Sequence, residues 1–209
     1  MRSVRTRFVL LHALAGAVLT VIGLAGFDRW TAIHLHQSGY EGLEWLLRGT
    51  EWLDTVTAKE ISKFLLGLLV TGAALLLLIP AVTRRAARAV LFVGLAQLLG
   101  TLSTGVAKNL FGRLRPFELL QSGDWSHAWF VGGSSFPSGH AGFYFGLFLP
   151  LAWLFPRWRW PLMLVPWFIA VARIDANHHF VSDVGLSIAM VGAITLGLAQ
   201  LARWPERSR

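Results

Sequence analysis

Six long apolar runs with no charge near their centres leave this chain few folds to adopt. They cover residues 8–27, 61–80, 89–107, 139–155, 160–173 and 184–202. About 20 apolar residues in helical form cross the roughly 30 Å hydrocarbon layer of a bilayer. The fifth run is short in plain apolar count, and Trp158 and Trp160 extend it as interfacial anchors. Between the first two runs, Leu43, Leu46, Leu47, Leu53 and Val56 recur at helical spacing, with Trp45 and Trp52 among them. That pattern predicts an amphipathic helix over residues 41–57 lying in the interface; a plain surface connector is the alternative. The predicted fold is all-α: one membrane-embedded domain, residues 1–209, with six transmembrane helices and one additional interfacial amphipathic helix.

Composition agrees. Only 14% of residues are charged, against about 25% in soluble domains, and mean hydropathy is +0.56. The net charge of +8 does not point to nucleic acid, because the basic residues sit in short clusters between apolar runs, as topology signals do. With no cysteine in the chain, disulfides, thiolate catalysis and Cys-ligated metals are excluded. The basic start followed by an apolar run raises a cleaved signal peptide. No small-x-small cleavage site follows Phe27, so the run is read as the first span.

Six spans place both termini on one side. That side holds eleven of the nineteen Lys and Arg and only one acid, Glu206; the other holds ten acids against eight bases. The positive-inside bias assigns the termini to the cytoplasm. Three polar stretches at the edges of apolar runs then all fall on the outer face.

The first is Lys108 to Pro116, with Lys108, Arg113 and Arg115. Arginine offers a planar fork of donors for phosphate oxygens, and lysine a mobile point charge. Lys108 and Arg115 share a face if the helix persists for two turns; topology charge or lipid-headgroup contact is the other reading. The second is Phe136 to His140. Pro137 and Ser138 before an apolar run are helix-start signals, a helix N-terminus offers free N–H groups to an anion, and Gly139 lets the backbone approach closely. An ordinary cap with an interfacial histidine fits equally. The third is Arg173 to Asp183, with His178 and His179. His179 and Asp183 are four apart, so on a helix a carboxylate takes the Nδ1 proton and leaves Nε2 free to attack. A surface His–Asp pair is the plain alternative. Metal binding by the adjacent His178 and His179 is disfavoured, since neighbours on a helix point apart and the acidic cluster that magnesium needs is missing. His12 reads as packing, and His34, His36 and His127 as residues near the entrance.

The three stretches resemble the signature motifs of the type 2 phosphatidic acid phosphatase superfamily, which is related to the vanadium haloperoxidases. Lys108, six residues on to Arg115-Pro116, matches the first; Pro137-Ser138-Gly139-His140 the second; Arg173, His179 and Asp183 the third, with Ala172 in place of the leading serine. The resemblance covers roughly residues 61–202. It implies a metal-independent, cofactor-free phosphatase acting on a membrane lipid phosphate or diphosphate. In that scheme His179 attacks phosphorus with Asp183 behind it, and His140 handles the leaving-group proton. Lys108, Arg115 and Arg173, with Ser138 and Gly139, hold the phosphoryl oxygens. Candidate substrates are undecaprenyl pyrophosphate, phosphatidylglycerol phosphate, phosphatidic acid and lipid A phosphates, reached from the bacterial inner membrane. A phosphotransferase, a transporter for an anion or lipid, and a purely structural membrane protein are the competing classes. A transporter would need a polar path past mid-membrane, against which the charge-free helix middles argue, and a structural role leaves the His179–Asp183 pair and the basic outer cluster unexplained.

Overall fold

The computed structural model describes residues 4–37, 43–80 and 83–202. Residues 41–42 of the amphipathic stretch, Arg2 and the C-terminal tail from Arg203 lie outside them. Nine α-helices are described: α1 Val4–Ile22, α2 Asp28–Gln37, α3 Glu44–Val56, α4 Leu65–Leu77, α5 Arg84–Phe111, α6 Pro116–Ser122, α7 Gly139–Leu154, α8 Arg159–Asp175 and α9 Val181–Leu201. No strand occurs among the described residues. A π-helical turn, Gly23–Phe27, joins α1 to α2, and Gly26 takes φ 127° within it.

Each predicted apolar run contains a helix, but the helices differ in reach. Among the described residues, three stretches are long and apolar enough to cross a membrane: Val4–Gln37, Arg84–Ser122 and Val181–Leu201. Leu65–Leu77 is apolar but shorter. At 1.5 Å per residue, α7 and α8 extend about 25 Å.

Polarity is arranged inside out relative to a soluble bundle. Leu11, Leu14, Val18, Val21, Leu68, Leu69, Leu76 and Leu164 are exposed, while Gln97, Thr101, Thr104, Ser187 and Thr195 are buried. Where water is absent, apolar contact no longer drives helix association, so close packing and buried polar contacts take its place. Small residues provide that closeness. A Cβ on Gly16 would stand 2.6 Å from Gly185 O, and one on Gly185 would stand 2.7 Å from Gly16 O, so α1 and α9 touch backbone to backbone. On α7, a Cβ on Gly142 would meet Thr104 at 2.6 Å, and one on Gly146 would stand 3.1 Å from Gln97 Cα, which brings α5 against α7. The core around α7 is Phe145, Leu149, Ala152 and Trp153 against Phe8, Phe92, Met163, Ile188 and Val191. His12 lies in this part of the bundle, its Nδ1 2.9 Å from Phe8 O and its ring 4.4 Å from that of Phe8, which is a packing role.

In α3, Leu46 and Thr50 are buried while Trp45 and Trp52 are exposed. Its Gly49 seats against Phe168 of α8, where a Cβ would come within 2.5 Å of the ring.

Candidate functional site

The three polar stretches converge where α5 and α8 end and α7 and α9 begin. Hydrogen bonds tie them together. Ser138 N donates to Asp183 O at 2.9 Å, and Ser187 Oγ donates to Ser138 O at 2.8 Å. Lys108 Nζ donates to Ser134 O, and Arg115 donates to Ser134 Oγ at 3.2 Å. Gly139 lies against the Lys108 stem, its would-be Cβ 3.4 Å from Cε.

The His–Asp pair arises differently from the sequence expectation. α9 begins at Val181, so His179 precedes the helix and the two residues do not share a helical face. Asp183 sits in the first turn, where its Oδ2 accepts the Phe180 N–H at 2.8 Å, closing the free helix end. The same oxygen accepts from Ser135 Oγ and stands 3.3 Å from His179 Nδ1. An ionised carboxylate can only accept, so Nδ1 carries the proton and Nε2 keeps its lone pair. His179 is buried. Burial lowers its pKa to about 3, against the opposing pull of Asp183, and the ring is neutral at physiological pH.

Lys108 and Arg115 do not share a helix either. Gly112 ends α5 in the left-handed region at φ 49°, its N–H bonding Lys108 O at 2.9 Å. A Cβ there would also stand 3.0 Å from Gly132 N. The chain turns and restarts as α6, so the two cations meet across Ser134. Lys108, Arg115 and Arg173 make no ion pair among the described residues, and the charge of Asp183, then those of Arg115 and Arg173, act on Lys108. Lys108 and Arg173 are also close enough for their charges to act on His179. Gathered like charges of this kind suit an anion with several oxygens.

Arg113, grouped with those cations on sequence, has a separate place. It is buried, donating to Asp183 Oδ1 at 2.8 Å, Ser182 Oγ at 2.7 Å and Asp28 Oδ2 at 2.9 Å. Its guanidinium carbon lies 3.8 Å from the Phe180 ring centre and 4.5 Å from that of Trp129. Asp28, at the head of α2, also accepts from Ser182 N at 2.9 Å. Two carboxylates thus share one guanidinium, and the clamp holds Asp183 from behind.

Ser138 caps α7, its Oγ accepting Ala141 N–H at 3.3 Å. The N–H groups of Gly139 and His140 make no hydrogen bond among the described residues. His140 Nε2 lies 2.9 Å from Asp54 Oδ2 and 2.6 Å from Lys59 Nζ. Arg173 is near enough for its charge to act on both His140 and His179. His178 packs edge-on to Phe117 at 5.8 Å. Burial, then Arg173 and Arg115, lower its pKa to about 4. Away from this cluster, His34 stacks on Trp30 and His127 pairs with Asp124 on the surface.

Asp28, Asp54, Lys59 and Ser135 had no motif to mark them. For Asp28 one signal was present: an acid directly at the end of an apolar run is costly unless it is paired.

An apolar-surfaced helical bundle carrying a polar, cation-rich site at one end is a membrane protein whose site suits an anion. The chain belongs to the PAP2 superfamily, whose profile matches residues 85–207. It is similar to the lipid A 1-phosphatase of Rhizobium johnstonii, 34% identical over 91 residues, which are 42% of this chain and 37% of that protein. It is also similar to the lipid A 1-phosphatase of Rhizobium etli, 32% identical over 98 residues, 46% of this chain and 42% of that protein. The match thus spans about two-fifths of each relative's length. No solved structure matches the chain.

Proposed function

We propose that the protein is a metal-independent lipid phosphatase working through a phosphohistidine. His179 Nε2 attacks phosphorus, and the bond from phosphorus to the lipid oxygen breaks. His140 delivers a proton to that oxygen. Water then attacks the phosphohistidine while His140 accepts its proton, the P–N bond breaks, and phosphate leaves. Asp183 holds the His179 ring, and Lys108, Arg115 and Arg173 bind the phosphoryl oxygens, with the Gly139 and His140 N–H groups as further donors. Six spans, with α3 in the interface and the site at the outer boundary, let a lipid keep its tail in the bilayer while its phosphate enters. Among substrates, the names of the two relatives put a lipid A 1-phosphate first.

One observation carries this reading: a carboxylate-oriented His179, neutral at physiological pH, beside three cations that make no ion pair among the described residues. The test presents the purified protein, in chelator, with lipid A 1-phosphate, phosphatidic acid, phosphatidylglycerol phosphate and undecaprenyl pyrophosphate. Free phosphate should appear, and rapid quenching should trap labelled phosphate on His179. Turnover that needs a divalent cation, or label on another residue, would overturn the reading. Label appearing on an added acceptor instead of in free phosphate would make the protein a phosphotransferase.

A further inference from the structure

The turn between α3 and α4 reaches into the site. Ala58 takes φ 53°, and Lys59 N donates back to Asp54 O at 2.9 Å. This folds Lys59 beside Asp54, Nζ to Oδ2 at 2.8 Å, with both side chains largely buried. The same Oδ2 is 2.9 Å from His140 Nε2, and Lys59 Nζ is 2.6 Å from that nitrogen. Tyr144, one turn along α7, donates to Asp54 Oδ1 at 2.7 Å. His140 Nδ1 has no hydrogen-bond partner among the described residues.

One imidazole nitrogen cannot serve both neighbours at once. When Nε2 carries a proton it donates to Asp54, and Lys59 can only repel it. If Nε2 instead gave up that proton and accepted from Lys59, Nδ1 would carry the ring's remaining proton and could not act as a base. The ring therefore keeps its Nε2 proton on Asp54 whether Nδ1 is protonated or bare, and Lys59 bonds that same Asp54 oxygen at 2.8 Å.

We infer that Asp54 and Lys59 are positioning residues for His140: Asp54 holds the Nε2 proton in both ring forms and Lys59 sets how readily the ring takes a second, leaving Nδ1 to exchange a proton with the leaving group and then with water. This rests on the phosphatase reading above, where His140 must act first as acid and then as base. The site then holds a second His–Asp pair beside the first. In the first pair the carboxylate orients a nucleophile; in the second it backs a proton carrier. The proton given to the lipid oxygen is recovered from the attacking water, so the cycle closes without an outside donor.

Asp54→Asn in the full-length protein tests this. A lipid alkoxide needs a proton to leave, whereas p-nitrophenolate does not. Since kcat/KM reports only the steps through leaving-group departure, it should fall about 10²-fold or more on phosphatidic acid and less than about tenfold on p-nitrophenyl phosphate. The charges facing His140 are Asp54, Lys59 and Arg173. Removing the anion should move the alkaline limb of the kcat/KM profile down by about one pH unit or more. Lys59→Met should move it up, and Asp54→Glu should recover part of the lost rate. The His140 ring titration, read by 15N NMR in nanodiscs, should follow the same two directions independently of turnover. Equal losses on both substrates, or limbs and ring titrations that coincide with wild type, would overturn the inference. Wild-type protein inactive on both substrates and on lipid A 1-phosphate would instead overturn the phosphatase reading, and the ring titrations would still decide whether Asp54 and Lys59 hold His140.

Discussion

Asp28 and Asp183 bring two carboxylates onto one buried guanidinium, so with either acid neutralised the other still matches the charge of Arg113. Breaking a buried ion pair commonly destabilises by about 3–5 kcal/mol. Asp28→Asn breaks one such pair but leaves no bare cation, so it should lower unfolding free energy by less, about 1–3 kcal/mol, measured by denaturant titration in micelles, although Asp28 touches neither histidine. A second residue-scale expectation concerns acid. The unfolded chain protonates His179 near pH 6.5, whereas the folded chain resists until about pH 3. Below about 6.5 the unfolded state binds the extra proton, so stability falls as pH drops from 6.5 toward 3. His178, lowered to about 4, adds to the slope. Thermal midpoints between pH 7 and 4 should show the decline, and His179→Gln should flatten it. At this scale the sequence was readable where residues of distinct chemistry recur at set spacings, as from Arg173 to Asp183. It was not readable at Arg113, whose charge looks like its neighbours' until the fold buries it. Lone acids such as Asp28 and Asp54 lack any spacing at all.

Among the elements, the α1–α9 contact governs how the site is closed from behind. Gly16 and Gly185 allow the two backbones to touch, and the same approach brings Asp28 to the Ser182 N–H at 2.9 Å. Gly185→Val puts carbon where Gly16 O and Thr20 N already stand. It should lower the thermal midpoint and also reduce turnover by drawing Asp28 off Arg113. Gly185→Ala should do the same more mildly, as a paired thermal and activity assay would show. Apolar periodicity located the helices well, because length and hydropathy act locally. It missed their ends. The stop at Gly112 and the late start at Val181 depend on a left-handed glycine and a carboxylate cap, so two pairs expected along helix faces are instead assembled across turns. It also missed α2 and α6, short helices inside stretches that read as polar connectors.

For the whole molecule, the six-span proposal makes a directional claim. The chain has no cysteine, so a single introduced thiol reports its own side. Ser122→Cys should react with a membrane-impermeant maleimide on intact cells and Arg157→Cys only after lysis; the reverse would place the site in the cytoplasm. The number of apolar runs was evident from sequence because the bilayer sets a minimum length. How α3 docks was not, since that depends on Gly49 meeting Phe168. The profile match begins at residue 85, yet Asp28, Asp54 and Lys59 precede it. The shared portion carries Lys108, Arg115, Arg173 and both histidines, while Asp28, which bonds Arg113, and Asp54, which lies against His140, come from the segment before the match. Grafting that front segment between related proteins should transfer the preferred working pH along with it, with every signature residue left untouched.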